Sequence, residues 1–280
     1  MKTRNWIPAL LALLASALLL AACGDDDKDS SDKAATTGTQ TTAAPAAARV
    51  PRAAADPKAM RRARTSSVAE LKQLKPAAAG VRPKVRGSNV PLPQFLSTIS
   101  NDVATYWQKV FNNSKLEFPK TTQVVVTDSA QGACGTITSA EGPPNYCPAD
   151  QTVYLPVGYF QDKVLPIGDA TAVTLTALVW GYRVQDAVGA FKAVQAGSKT
   201  GLDLNLGAMC MAGAYMATVA NRNLLEEGDV DEILKTAAAT ADQGTPPDVT
   251  KAKGSVAQRT AAFRIGFSRG PAACQRIKAS

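Results

Sequence analysis

Two stretches almost free of charge limit what this chain can fold into more than any other feature. Residues 172–184 carry a single charge, Arg183, and residues 204–219 carry none. A helix that is apolar on nearly every side must be covered on nearly every side. The pattern therefore predicts a central buried helix that opens at Gly168 and Asp169 and runs to about residue 195. A second buried helix is predicted over about 202–220, where Gly207, Ala208, Ala212, Gly213 and Ala214 permit close helix–helix approach.

The rest of the C-terminal two thirds surrounds these two helices. Phe95, Ile99, Val103, Tyr106 and Val110 follow helical spacing, and Leu96, Trp107 and Phe111 widen the stripe. Residues 123–127 and 151–155 are short, β-branched or aromatic, and read as strands. Between them, Gly, Pro and Ser dominate residues 130–150, a loop or wide hairpin. Asp229 with Glu232, and Ser255 with Gln258, have the spacing of capping boxes that start two further helices. The last of these ends at Gly270 and Pro271. The fold class expected is α+β, mainly helical, with a small β-sheet or hairpin ahead of a buried central helix. One domain of about 190 residues, 89–280, would bury roughly 70% of its unfolded surface.

The N-terminal third is of another kind. Lys2 and Arg4 precede an apolar run over residues 6–20 that is short of the roughly 20 residues a permanent span requires. Leu20, Ala21, Ala22 and Cys23 then end a secretory signal. That ending resembles a bacterial lipobox, which implies lipidation of Cys23 once residues 1–22 are removed. The expected location is the outer face of the cell membrane, held by a lipid anchor. An ordinary signal peptide with an incidental Cys23 is the alternative. Residues 23–88 are too poor in large apolar groups to build a core and read as a disordered tether.

Charge is distributed unevenly. The chain has 31 basic and 23 acidic residues, a net charge of +8, yet residues 88–280 carry sixteen of each sign. Residues 49–87 hold eleven Lys or Arg against Asp56 and Glu70. The excess is thus confined to the tether, either as a solvated linker or as a segment drawn to anionic lipid or wall polymer. A nucleic-acid-binding domain would be basic on its own surface, so no nucleic-acid partner is expected.

Four cysteines remain after Cys23, an even number that suits an exported protein and allows three pairings. They are read as two disulfides, Cys134 with Cys147 and Cys210 with Cys274. A zinc site is the alternative, but no Cys-x-x-Cys spacing exists.

The 280 residues include no histidine, which removes Ser-His-Asp, Cys-His and His-ligated metal chemistry together. What could remain is a Ser–Lys dyad, a carboxylate pair or an all-oxygen metal site. Asp229, Asp231 and Glu232 sit at a helix start, where acids favour the dipole. Ser255, near Lys251 and Lys253, is already explained as an N-cap. No phosphate loop or dinucleotide fingerprint is present.

A set of ordered landmarks carries a resemblance. It comprises Trp107 with Phe111, Cys134 with Gly135, Tyr146, Cys147, Pro148 and Asp150, then Tyr154 with Leu155. Tyr159 with Phe160, Gly168 with Asp169, Gly181 with Val184 and Gln185, and Ala208, Cys210, Ala212 and Gly213 follow. Gly228 with Asp229 and Glu232, Gly254 with Ser255, Gln258 with Arg259, and Gly266, Phe267 and Cys274 complete it. In order and spacing the chain resembles the bacterial neutral zinc metallopeptidases, a zincin-like group, over most of residues 95–275. The family's active helix reads His-Glu-x-Gly-His-His-x-Gln, with two histidines on one helix face as zinc ligands and the Glu as general base.

The resemblance assigns the two histidine positions to Leu178 and Tyr182, and the general-base position to Val179. It assigns the third ligand to Asn205. Arg183, Met209 and Lys253 stand where the family has a histidine, an aspartate and a histidine. No zinc or other cofactor is expected, and no catalytic residue. The implied reading is a catalytically inactive binding or scaffold lipoprotein, a pseudopeptidase, with a peptide or envelope protein as partner by analogy of fold. A hydrolase of altered, non-zinc chemistry in the same cleft and a structural envelope spacer are the alternatives. Tyr182 is expected to aim its hydroxyl at Asn205 or at solvent.

Overall fold

A computed structural model describes residues 90–244 and 252–277. The expected signal, Cys23 and the expected tether lie outside the described residues. Helix α1, Leu92–Asn113, opens with a proline in its first turn and buries the predicted stripe of Phe95, Leu96, Ile99, Val103, Tyr106, Trp107, Val110 and Phe111. Five short strands follow: β1 Thr122–Val126, β2 Ser129–Gly132, β3 Gly135–Thr138, β4 Asn145–Cys147 and β5 Thr152–Pro156. The expected loop over 130–150 thus holds a hairpin and an edge strand.

β5 is the centre of a three-stranded sheet ordered β1-β5-β4. It pairs parallel with β1, Val124 opposite Tyr154, and antiparallel with β4, Tyr146 opposite Val153. All five residues of β5 are buried, as a continuous apolar strand covered on both faces should be. β2 and β3 form a separate antiparallel hairpin. The disulfide Cys134–Cys147 ties its turn to β4.

A single turn α2, Val157–Tyr159, runs into a π-helical turn, Phe160–Val164. Then come α3 Asp169–Ala187, α4 Ala190–Gln195, α5 Gly201–Asn221, α6 Asp229–Ala239, α7 Val256–Arg269 and the short α8 Pro271–Cys274. The central helix is shorter than the sequence pattern predicts. It stops at Ala187 because Gly189 turns left-handed, φ 80°, and α4 leaves in a new direction. The apolar pattern continues across that break, so periodicity alone passes over it.

α3 packs between α1 and α5. Trp180 Nε1 donates to Ser100 Oγ at 2.8 Å on the α1 side. On the α5 side, a Cβ at Gly181 would lie 2.6 Å from the Ala208 carbonyl oxygen. α5 in turn meets α7 so closely that a Cβ at Gly266 would lie 1.8 Å from the Cys210 carbonyl oxygen. The disulfide Cys210–Cys274 ties α5 to α8. No helix among the described residues is long and apolar enough to cross a membrane.

The two disulfides span 13 and 64 residues. Chain-entropy scaling puts their contributions at about 3 and about 4 kcal/mol. Urea unfolding of the paired alanine variants should therefore show a larger loss for Cys210→Ala with Cys274→Ala than for Cys134→Ala with Cys147→Ala. Equal losses or the reverse order would contradict this.

Candidate functional site

α3 and α5 run antiparallel, and the residues singled out by the zinc-peptidase pattern meet at one end of the pair. Leu178 and Tyr182 are one turn apart on the same face of α3. Asn205 stands in the first turns of α5, which opens with a capping box between Thr200 and Asp203. Gln185 fixes the register, donating Nε2–H to the Leu204 carbonyl at 2.6 Å, with Gly207 leaving room for its side chain.

Tyr182 donates its hydroxyl hydrogen to Asn205 Oδ1 at 2.5 Å. Asn205 Nδ2 donates to the carbonyls of Gly201, 3.0 Å, and Ala252, 2.8 Å. Both amide hydrogens and the amide oxygen are therefore in use. Leu178 is 4% exposed, and Val179, at the general-base position, 2%. Met209 is fully buried, whereas Lys253 is exposed at the loop that enters α7.

Arg259 closes this end from α7. Its side chain is buried and donates from Nε and Nη2 to Thr240 Oγ1, from Nη1 to the Lys253 carbonyl, and weakly from Nη2 to Met209 Sδ. Asp242 holds the loop by accepting the backbone N–H groups of Lys253 and Gly254. Burial pushes the Tyr182 phenol above its ordinary value, with the Arg259 charge opposing. Burial lowers Arg259, and the nearby Tyr182 and Asp242 oppose that. Arg183, on the other face of α3, bonds Thr121 Oγ1 and the Pro119 carbonyl and lies over the Phe118 ring.

The other candidates resolve into structural roles. The carboxylates of Asp169, Asp229 and Glu232 lie within 4.8 Å of one another. Glu232 accepts the Ala170 N–H at 3.0 Å, and Asp229 accepts the Glu226 N–H at 2.7 Å. The N-cap of α6 is Gly228, not Asp229, and no capping box forms there. Glu232 has crossed to the N-terminus of α3, whose orphan N–H groups compete for it. Ser255 does form its predicted box, accepting the Gln258 N–H at 3.2 Å while Gln258 Oε1 accepts the Ser255 N–H.

Residues 64–277 match the family described as "Putative neutral zinc metallopeptidase". The chain belongs to that family. It is 28% identical to the uncharacterized protein YpfJ of Escherichia coli K12 over 201 residues, which cover 65% of this chain and 70% of YpfJ. It is 30% identical to the uncharacterized protein Rv2575 of Mycobacterium tuberculosis H37Rv over 173 residues, 52% of this chain and 59% of Rv2575. Mb2605 of Mycobacterium bovis matches at the same level. No solved structure matches the chain.

Zinc in such a family is held by three nitrogen, sulfur or deprotonated oxygen donors and a water. The groups at the three positions do not fit it. Leu178 has no donor atom. Tyr182 keeps its proton at neutral pH and spends it on Asn205, and Asn205 is a neutral amide already bonded at both ends. What the arrangement provides is a hydrogen-bonded junction between α3, α5 and the loop ahead of α7.

Removing the Tyr182 hydroxyl leaves Asn205 Oδ1 without that donor, so Tyr182→Phe should cost about 1–2 kcal/mol. The folded state holds the Tyr182 proton more tightly than the unfolded chain. Its contribution is thus complete below the ordinary tyrosine value near 10 and declines as pH rises beyond it. Urea unfolding at pH 7 and across pH 9–11 reads both effects. A Tyr182→Phe protein with wild-type stability and an unchanged alkaline slope would contradict them.

Proposed function

We propose that this protein is a catalytically inactive member of the zinc metallopeptidase family. In this reading it is exported, anchored at the outer face of the cell membrane through Cys23, and acts by binding rather than hydrolysis. The observation that carries the reading is the Tyr182–Asn205 hydrogen bond at the ligand positions, in a chain with no histidine. The scaffold around those positions keeps its helix pair, its capping boxes and both disulfides. The groups with which zinc chemistry would work are replaced by groups that satisfy one another.

A hydrolase of altered chemistry finds less support. Ser255 is engaged in its helix cap, and the acids at the start of α6 serve backbone N–H groups. Lipid anchoring rests on the sequence at Leu20, Ala21, Ala22 and Cys23. The peptide or envelope-protein partner rests on the family likeness, and attraction to anionic lipid or wall polymer on the basic residues at 49–87.

Equilibrium dialysis against micromolar zinc, followed by metal analysis, should find far less than one zinc per chain. Peptide-library hydrolysis should match a no-protein control and should not respond to chelator. One tightly held zinc per chain together with chelator-sensitive proteolysis would overturn the reading.

A further inference from the structure

The antiparallel α3/α5 pair has a second end. From Asn205 to Val219 is about 21 Å along α5 at 1.5 Å per residue, and there α1 faces both helices. Between them lies a cavity of about 300 Å³. Its walls are Phe95 and Ile99 of α1, Val173 of α3, Met216 and Val219 of α5, and Leu224 just beyond. None of these walls belongs to the Tyr182–Asn205 junction.

Apart from Thr98, whose hydroxyl donates to the Gln94 carbonyl, the polar side chains of the lining are gathered in one cluster. Asp102 accepts from Arg222 Nη1 at 3.0 Å and Nη2 at 2.6 Å, and from the Tyr215 hydroxyl at 2.6 Å. Arg222 Nε is turned to the Thr218 carbonyl. The two partners are unequally covered: the Asp102 side chain is 40% exposed and that of Arg222 16%. A carboxylate offers about four acceptor positions, and three are taken. The guanidinium and the phenol hold Asp102 ionised, outweighing the effect of its burial. Both partners line the cavity, and the more exposed of the two, which an incoming head group meets first, is the Asp102 acceptor.

We propose that this cavity binds a single aliphatic chain whose head group donates hydrogen bonds, a primary amine or alcohol, to the Asp102 carboxylate. Apolar cavities of about 150 Å³ remain dry and take up one benzene. Twice that volume suits roughly ten carbon atoms by the same scaling. The chain would lie against the hydrocarbon walls, and the head group would stay at the rim beside the polar cluster. A carboxylate head on a chain of the same length has no hydrogen to donate to Asp102, the more exposed partner of the pair. This goes beyond the inactive-peptidase reading and does not depend on it, since the cavity shares no residue with the ligand positions.

The test uses the full chain in lipid nanodiscs and decylamine bearing a diazirine near its methyl end. Photolabelling should saturate at one per chain and map to peptides containing residues 95–102 and 215–225. Unlabelled decylamine and decanol should compete, with decanoate at least tenfold weaker. Val173→Trp, at a partly buried wall position, should lower labelling at least tenfold by filling the cavity. Asp102→Asn leaves the Arg222 cation uncompensated, so decanoate should become the better competitor. Labelling that never saturates, equal competition by decanoate in the wild type, or an unchanged order in Asp102→Asn would each overturn the proposal. Full labelling of a folded Val173→Trp protein would do so as well. The readout involves neither metal nor proteolysis, so this proposal and the inactive-peptidase reading fail separately.

Discussion

The distance between the three central helices is set by glycine. At Gly181 and Gly266 the backbone of one helix lies against the carbonyl of the next, and a methyl group at either place would collide with it. That spacing brings Tyr182 within reach of Asn205 and carries Arg259 to the end of both helices. It also makes the short crossing from Cys210 to Cys274 feasible. Close backbone approach of this kind gains dispersion contacts over the whole helix length, and it tolerates little adjustment because interiors are densely packed.

The helix pair therefore behaves as a rigid frame whose two ends have different contents. At one end the Tyr182 hydroxyl and the whole Asn205 amide have partners inside the protein. At the other end lie a cavity with hydrocarbon walls and a partly exposed carboxylate. Family membership supplies the frame, but activity depends on the side chains mounted on it. At the first end Tyr182 and Asn205 are bonded to each other, and the second presents a concave surface with polar groups on one side.

Much of the frame is legible in the sequence because hydrophobic burial imposes a strong period. The uncharged stretches at 172–184 and 204–219, the α1 stripe from Phe95 to Phe111 and the Ser255 cap all fall where the pattern places them. The contact between Tyr182 and Asn205 was legible too, through the spacing of the metallopeptidase motif. Other features were decided by competition between distant parts of the chain. The N-termini of α3 and α6 both draw on the acids at residues 229–232, and Glu232 goes to α3. The end of α3 depends on a left-handed Gly189 inside an unbroken apolar pattern. The cavity leaves no local signal at all, since its walls come from α1, α3 and α5 and each residue alone reads as ordinary core.

In the proposed inactive reading, α3 and α5 retain the geometry of a zinc site from which the donor groups are gone. Restoring those groups tests it most directly. A variant combining Leu178→His, Tyr182→His and Asn205→Glu should bind one zinc per chain in a competition titration with a chromophoric chelator, with the wild type run alongside. Folded variant protein that holds no zinc, or a wild type that holds it equally well, would contradict the claim.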